Sequence, residues 1–212
     1  GIIPAIFKAY FNTNETLFTL MLNYVAMQIV TFCIVYWENP AGSNTVGIIN
    51  SATRAGWLPA LGGLTYGWNV LIVLAFTFGM YIYMKYSKQG YEVAVVGESQ
   101  DTARYARINV KRTIIRTMGI SGGICGIAGF LLVSGASHTI STSTAGGRGF
   151  TAIIVAWLSK FNAFVMILVS FFLVFMEKGA IQIASQFNLN ENASDVITGI
   201  ILFFILGSEF FI

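Results

Sequence analysis

Charge is what this sequence has least of. Its 212 residues carry nine Asp and Glu, twelve Lys and Arg and one His, and charged side chains make up 10%. Soluble domains hold roughly 25%, so this chain lacks the polar groups to cover a water-facing surface, and a globular enzyme with a buried core is excluded. Cysteine is as sparse. Cys33 and Cys125 each lie inside an apolar run and far apart, which leaves a disulfide or a cysteine metal site without support. His138 is the single histidine, so there is no cluster for a metal ion. The net charge of +3 is too small to indicate nucleic acid. No Walker A lysine and no HExxH occur. The chain therefore reads as a non-enzyme without its own ATPase site, needing no cofactor and no metal. The opening Gly1-Ile2-Ile3-Pro4 is no signal peptide, and with no initiator Met the expectation is a fragment whose N-terminal spans are missing.

What the sequence has is apolar length. Hydrophobic residues reach 56%, mean hydropathy is +0.73, and the apolar residues are blocked into runs. A spanning helix needs about 20 of them. Full spans are expected at 15–37, with Asn14 as N-cap, at 68–86 and 113–133, in the run ending at Phe175, and at 195–212. Residues 150–159 are apolar but reach only about 15 Å as a helix. They predict a tilted short span or a re-entrant helix, interrupted at Lys160-Phe161-Asn162. The fold class is thus an all-α polytopic transmembrane bundle of about five full spans plus one short or re-entrant helix, a single domain over residues 1–212. Residues 38–67, with Pro40 and Pro59, read as a loop with room for a short interfacial helix around Trp57. Residues 134–149 read as a Ser/Thr/Gly loop, and Glu177, Lys178 and residues 179–194 as a polar connection.

Seven of the twelve cations fall between Lys85 and Arg116, which makes that region cytoplasmic by the positive-inside rule. Counting crossings from it puts residues 1–14, with Lys8, inside and residues 38–67 and 134–149 outside. Within the cytoplasmic loop 87–112, Ser99 or Asp101 can cap a short helix starting near Thr102. Arg104, Arg107 and Lys111 give that helix a basic face, and Ala103, Ala106 and Val110 an apolar one. The stretch is either a topology signal or a surface helix that docks on a soluble partner.

Gly119/Gly123 and Gly122/Gly126 form overlapping small-xxx-small pairs, expected to pack the third span against another helix. In the first span Thr16, Thr19 and Asn23 share one face, and Tyr24, Gln28 and Thr31 another. Polar groups at that depth need partners, so Asn23, Tyr24 and, at the later interruption, Asn162 either bond between helices or line a passage for a hydroxylated solute.

Four stretches then acquire a common meaning: Val96-Gly97-Glu98 with Asp101-Thr102-Ala103-Arg104-Tyr105-Ala106 and Ile108-Asn109-Val110; Asn14-Glu15 with Met21-Leu22-Asn23-Tyr24; Gly149 to Leu158; and Thr198 to Leu202. In order and spacing the chain resembles the permeases of bacterial ABC importers of the branched-chain amino acid, ribose and nucleoside group. Met21-Leu22-Asn23-Tyr24 and Ser208-Glu209-Phe210-Phe211 are most similar to the nucleoside and simple-sugar branch. The resemblance implies a multi-pass plasma-membrane subunit that moves a small polar solute. Its expected partners are a separate ATP-binding cassette subunit, a second permease subunit, an external substrate-binding lipoprotein and the lipid bilayer. It also implies that Gly97, Glu98, Asp101, Ala103, Arg104, Tyr105 and Asn109 belong to the coupling helix on which the ATPase docks. Two positions depart from the pattern: Arg107 stands where a glycine is usual, and Ala163 where proline is common. The competing readings are an ion-coupled secondary transporter, a branched-chain amino acid permease and a membrane scaffold. The carboxylates Glu15, Glu177 and Glu209 at span ends, with no central charge in any run, argue against ion coupling.

Overall fold

The computed structural model describes residues 1–38, 42–43, 46–51, 53–54, 56–59, 66–141, 144, 146–187, 196, 199–200, 203–204 and 207. They are helical, apart from turns, irregular stretches and one isolated bridge at Ser141. The helices are α1 (Ile2–Phe11), α2 (Glu15–Trp37), α3 (Gly67–Tyr86), α4 (Lys88–Glu98), α5 (Gln100–Tyr105), α6 (Val110–Leu132), α7 (Arg148–Leu158) and α8 (Ala163–Gln186). A π-helical turn, Val133–Ser137, prolongs α6. Four helices are long and apolar enough to cross a membrane: α2, α3, α6 with its π turn, and α8. The expected span at 195–212 lies largely outside the described residues, although Val196, Gly199, Ile200, Phe203, Phe204 and Gly207 are helical. The chain divides into two units, Gly1–Ala145 and Gly146–Ile212.

In the first unit α1 tolerates Pro4 because it sits in the first turn, where its missing N–H would find no partner anyway. Asn14 caps α2 through its side chain, accepting from the backbone of Thr16 and Leu17 at 3.0 and 3.3 Å. The two helices meet where Phe7 stacks on Phe18, 4.9 Å between centroids, and Lys8 pairs with Glu15 at 2.7 Å. α1 also packs along α6. Its start lies against Gly122, where an added Cβ would come within 3.0 Å of the Gly1 Cα, and Tyr10 near its end lies under Lys111. The two helices are therefore antiparallel. The first half of α1 runs beside the apolar body of α6, and only its end, with Lys8, reaches the cationic region expected to be cytoplasmic. Ile2, Ile3 and Ile6 are exposed along α1, a short apolar helix below the length of a span.

At its other end α6 meets the connection that follows α2. Trp57 is not helical: it stacks on His138, ring centroids 3.9 Å apart and 12° between planes, and donates its indole N–H to the Ile49 carbonyl at 2.8 Å. Ile49 N–H donates to the carbonyl of His138 at 2.9 Å, Leu58 N–H to that of Ser134 at 3.3 Å, and the Ser134 hydroxyl to that of Gly56. The two loops expected on the outer side are thus joined at one end of α6, and the cations gather at the other.

In the second unit α7 packs against α8. α7 has 11 residues, a rise of about 16 Å, the short helix expected. It closes in a reverse turn with Lys160 and Phe161 both left-handed, φ 49° and 58°. Asn162 then caps α8, accepting from Phe164 N–H at 3.1 Å. α8 runs on through Glu177 and Lys178 to Gln186, where the sequence suggested a polar connection from Glu177. Ala180, Ile181 and Ala184 are ordinary helix residues, and Gly179 alone is too weak a breaker to end the helix.

Candidate functional site

The end of the first unit expected to be cytoplasmic holds most of the residues singled out in the sequence. Ser87 breaks α3 and starts α4. Its hydroxyl donates to the Tyr83 carbonyl at 2.6 Å and accepts from Gly90 N–H at 2.9 Å. Gly90 is obligatory here, since a Cβ would stand 2.6 Å from the Tyr83 carbonyl oxygen and against that of Met84. The polar loop 87–112 is thereby more ordered than its composition suggested, being two helices on caps worth about 1 kcal/mol each. Ser99 is the second cap, accepting from Thr102 N–H at 3.3 Å, so α5 starts at Gln100, two residues earlier than Thr102.

α5 packs on α4 and on the start of α6. Ala103 is fully buried and Val110 nearly so, whereas Arg104, Tyr105, Ala106 and Arg107 are exposed, Tyr105 by 92%. The apolar side expected to enter a partner's groove is therefore used, at Ala103, within the chain itself. Asp101 pairs with Arg104 at 3.1 Å, both outward. Gly97 and Glu98 end α4 and are exposed. Asn109 caps α6, accepting from Arg112 N–H at 3.1 Å.

The turn after α5 explains one departure from the family pattern. Ile108 N–H bonds back to the Ala103 carbonyl at 2.9 Å and Arg107 N–H to that of Arg104 at 3.0 Å, a Schellman closure. Arg107 occupies its left-handed position at φ 55°, which a glycine would adopt without strain. The other departure is equally local. Ala163 is the first residue of α8 after its cap, where proline fits a helix start.

Reasoning from sequence passed over Glu92. It accepts from Arg116 at 3.0 Å and fastens α4 to α6. The available signal was Arg116 itself, a cation inside the third span's apolar pattern. Tyr10 was missed as well. Its ring carries the Lys111 ammonium at 4.6 Å.

The solute-pathway candidates are divided between the two units, Asn23 and Tyr24 in the first and Asn162 in the second. Asn23 is exposed on α2 and reaches Met27 Sδ at 3.8 Å. Tyr24 and Gln28 share a groove of about 440 Å³ with Val25, Ile29 and Phe32. Thr19 and Thr31 donate to carbonyls of their own helix, at 2.8 and 2.9 Å, rather than between helices. Asn162, in the second unit, is committed to capping α8. Of the glycines, Gly119 and Gly122 face α1, the former within 3.8 Å of Ile2, while Gly123 and Gly126 meet nothing within 4 Å. Gly119-Ile120-Ser121-Gly122-Gly123 has the spacing of a nucleophile elbow, but it lies within α6, without the strand-to-helix turn that exposes such a serine.

Comparison with known proteins agrees with this architecture. A family model described as branched-chain amino acid transport system / permease component matches residues 1–206. The chain is similar to the glucose ABC transporter permease protein TsgB13 of Haloferax volcanii, 25% identical over 99% of this chain and 58% of the relative. It is 28% identical to the guanosine ABC transporter permease protein NupP of Bacillus subtilis, over 98% of this chain and 61% of the relative. The nucleoside ABC transporter permease protein NupB of Lactococcus lactis is 26% identical over 97% and 58%. The chain thus spans about three fifths of the length of these relatives. No solved structure matches it significantly. With the match running along nearly its whole length, the chain belongs to the branched-chain amino acid transport system / permease component family.

Proposed function

We propose that this chain is the membrane-spanning part of a permease subunit of an ABC importer, moving a nucleoside or simple sugar across the plasma membrane. ATP is hydrolysed by a separate ATP-binding cassette subunit that docks on α5 and the turn after it. A second permease subunit completes the pathway, and an external binding lipoprotein delivers the solute. One observation carries this reading: a six-residue helix is capped at Ser99, closed at Arg107 and seated on α4 and α6 by the buried Ala103, and it turns Arg104, Tyr105 and Arg107 outward. A rigid exposed helix tied to a span is what transmits a partner's motion into the membrane. Asn23, Tyr24 and Asn162 remain the candidates for the solute pathway. A branched-chain amino acid cargo is the second reading, favoured by the description of the matching family model.

The test is Tyr105→Ala and Arg104→Glu, with insertion, ATPase co-purification and uptake of labelled guanosine, glucose and leucine measured separately. Loss of ATPase and uptake with normal insertion is expected. Wild-type uptake with the ATPase still bound would leave α5 as a topology signal only. Ala103→Trp does not serve here, because overfilling that buried site tests folding instead of docking.

A further inference from the structure

A pocket of about 490 Å³ opens where the last turn of α1, the start of α5 and the first turns of α6 meet. Three cations stand in its wall, Lys8, Arg104 and Lys111, and no carboxylate does. Two of the cations are neutralised from outside it, Lys8 by Glu15 at 2.7 Å and Arg104 by Asp101 at 3.1 Å. Lys111 has no carboxylate partner among the described residues, and it rests on the Tyr10 ring. A ring holds an ammonium in place without cancelling its charge. The remaining wall is mixed, with the amides of Asn12 and Gln100 and the apolar side chains of Ile108 and Ile114.

We propose that this pocket binds the headgroup of an anionic phospholipid of the inner leaflet, its phosphodiester on Lys111. Three features select this ligand. The pocket lies at the level where α6 leaves the hydrocarbon, since Ile114 already belongs to the apolar span. An anion arriving in the plane of the membrane reaches Lys111 without entering bulk water. The volume far exceeds what inorganic phosphate fills, and the isoleucine wall suits a glycerol backbone and first methylenes, while the amides suit headgroup hydroxyls. Basic recesses between spans on the cytoplasmic side are a general mode of anionic-lipid recognition. An acidic side chain of a soluble partner is disfavoured, because the outward face of α5 is the Tyr105 side, whereas Ile114 lines the pocket from the span. Arg104 belongs to both the docking surface and this wall, so it is left out of the test.

Purified permease in neutral detergent is titrated with dioctanoyl phosphatidylglycerol, dioctanoyl phosphatidylcholine and inorganic phosphate, and binding is read by native mass spectrometry and thermal shift. Phosphatidylglycerol is expected to bind one to one and more tightly than phosphatidylcholine. Lys111→Gln should weaken it about fivefold, the effect of one near-surface cation, Lys111→Arg should restore it, and Lys88→Gln, outside the wall, should leave it unchanged. If Lys111→Gln does not insert, Asn12→Asp puts a negative charge in the same wall and should weaken binding of the anion comparably. Undiminished phosphatidylglycerol binding by the tested wall variant overturns the proposal. Equal competition by inorganic phosphate would make this a free-anion site, not a lipid site. Unchanged lipid binding with loss of the co-purifying ATPase would assign the pocket to a protein partner. Both outcomes overturn the lipid reading.

Discussion

Arg116, in the second turn of α6, donates to Glu92 of α4 at 3.0 Å, across 24 residues of sequence and the whole of α5. Both side chains are about three quarters covered, and the buried Arg116 Nε has no hydrogen-bond partner among the described residues. The bond is a charged tie between α6 and α4, the helix on which the segment proposed to receive the ATPase is seated. Removing it should cost about 1–3 kcal/mol, the range for hydrogen bonds to charged groups. Glu92→Gln and Arg116→Gln are expected to lower thermal stability and to uncouple ATP hydrolysis from uptake. The check is a double-mutant cycle, in which the two losses should fall well short of adding. Full additivity would show that the pair does not act as a unit.

The approach of α1 to α6 depends on the absence of a side chain at residue 122. Gly122→Leu should separate the helices and lower yield or melting temperature markedly, because the neighbouring atoms are Gly1 backbone and cannot swing aside. Gly126→Leu meets nothing within this chain. If it is equally damaging, that face packs on another helix of the assembled protein. Equal tolerance of both would contradict the α1–α6 contact. Thermal melting of the two purified variants decides.

Backbone geometry makes two substitutions towards the family pattern favourable. Arg107→Gly removes a non-glycine residue from a left-handed position, a strain of about 1 kcal/mol, and should raise stability by up to that amount. Ala163→Pro places proline at the first position of α8 after a cap that is already extended, φ −86° and ψ 117°. It should be neutral or stabilising by about 0.5 kcal/mol. A loss above about 1 kcal/mol in either melt would refute the corresponding turn.

Orientation is open to direct labelling. The two ends of α6 are chemically opposite, cations around Lys111 and the Trp57–His138 stack beyond the π turn. Ser99→Cys should resist an impermeant thiol reagent in intact cells and react after permeabilisation, while Ser43→Cys should react in both. The reverse pattern would invert every assignment of side.

The spans were legible because their cause is local. Apolar runs bounded by Asn14 and Trp37, or ending at Tyr86, gave α2 its limits and α3 limits within one residue. The cap at Ser99 and the interruption at 160–162 were legible for the same reason. What sequence could not show depended on neighbours. Ala103 and Ala106 look alike along the chain, yet one is buried and the other exposed. Glu92 looks like any loop carboxylate until α4 folds back on α6. Trp57 suggested an interfacial helix, since nothing local announces that His138, 81 residues later, will cover its ring. Asn162 suggested either a bond between helices or a place on the pathway, and nothing in the run Lys160-Phe161-Asn162 announced that its side chain would accept from Phe164 N–H at 3.1 Å and cap α8.

The π turn at Val133–Ser137 sets the phase of everything beyond it. His138 N–H reaches back five residues to the Val133 carbonyl, at 2.9 Å, where an α-helix would reach back four. The segment holds one residue more than an α-turn, and each residue of a helix advances the next by about 100° and 1.5 Å. Were the turn to tighten to α, His138 would swing off the Trp57 ring and carry the Ile49 bond away with it. The fastening between the two outer loops is thus keyed to a single surplus residue, and deleting one residue from 133–137 would straighten the helix and leave that fastening out of step.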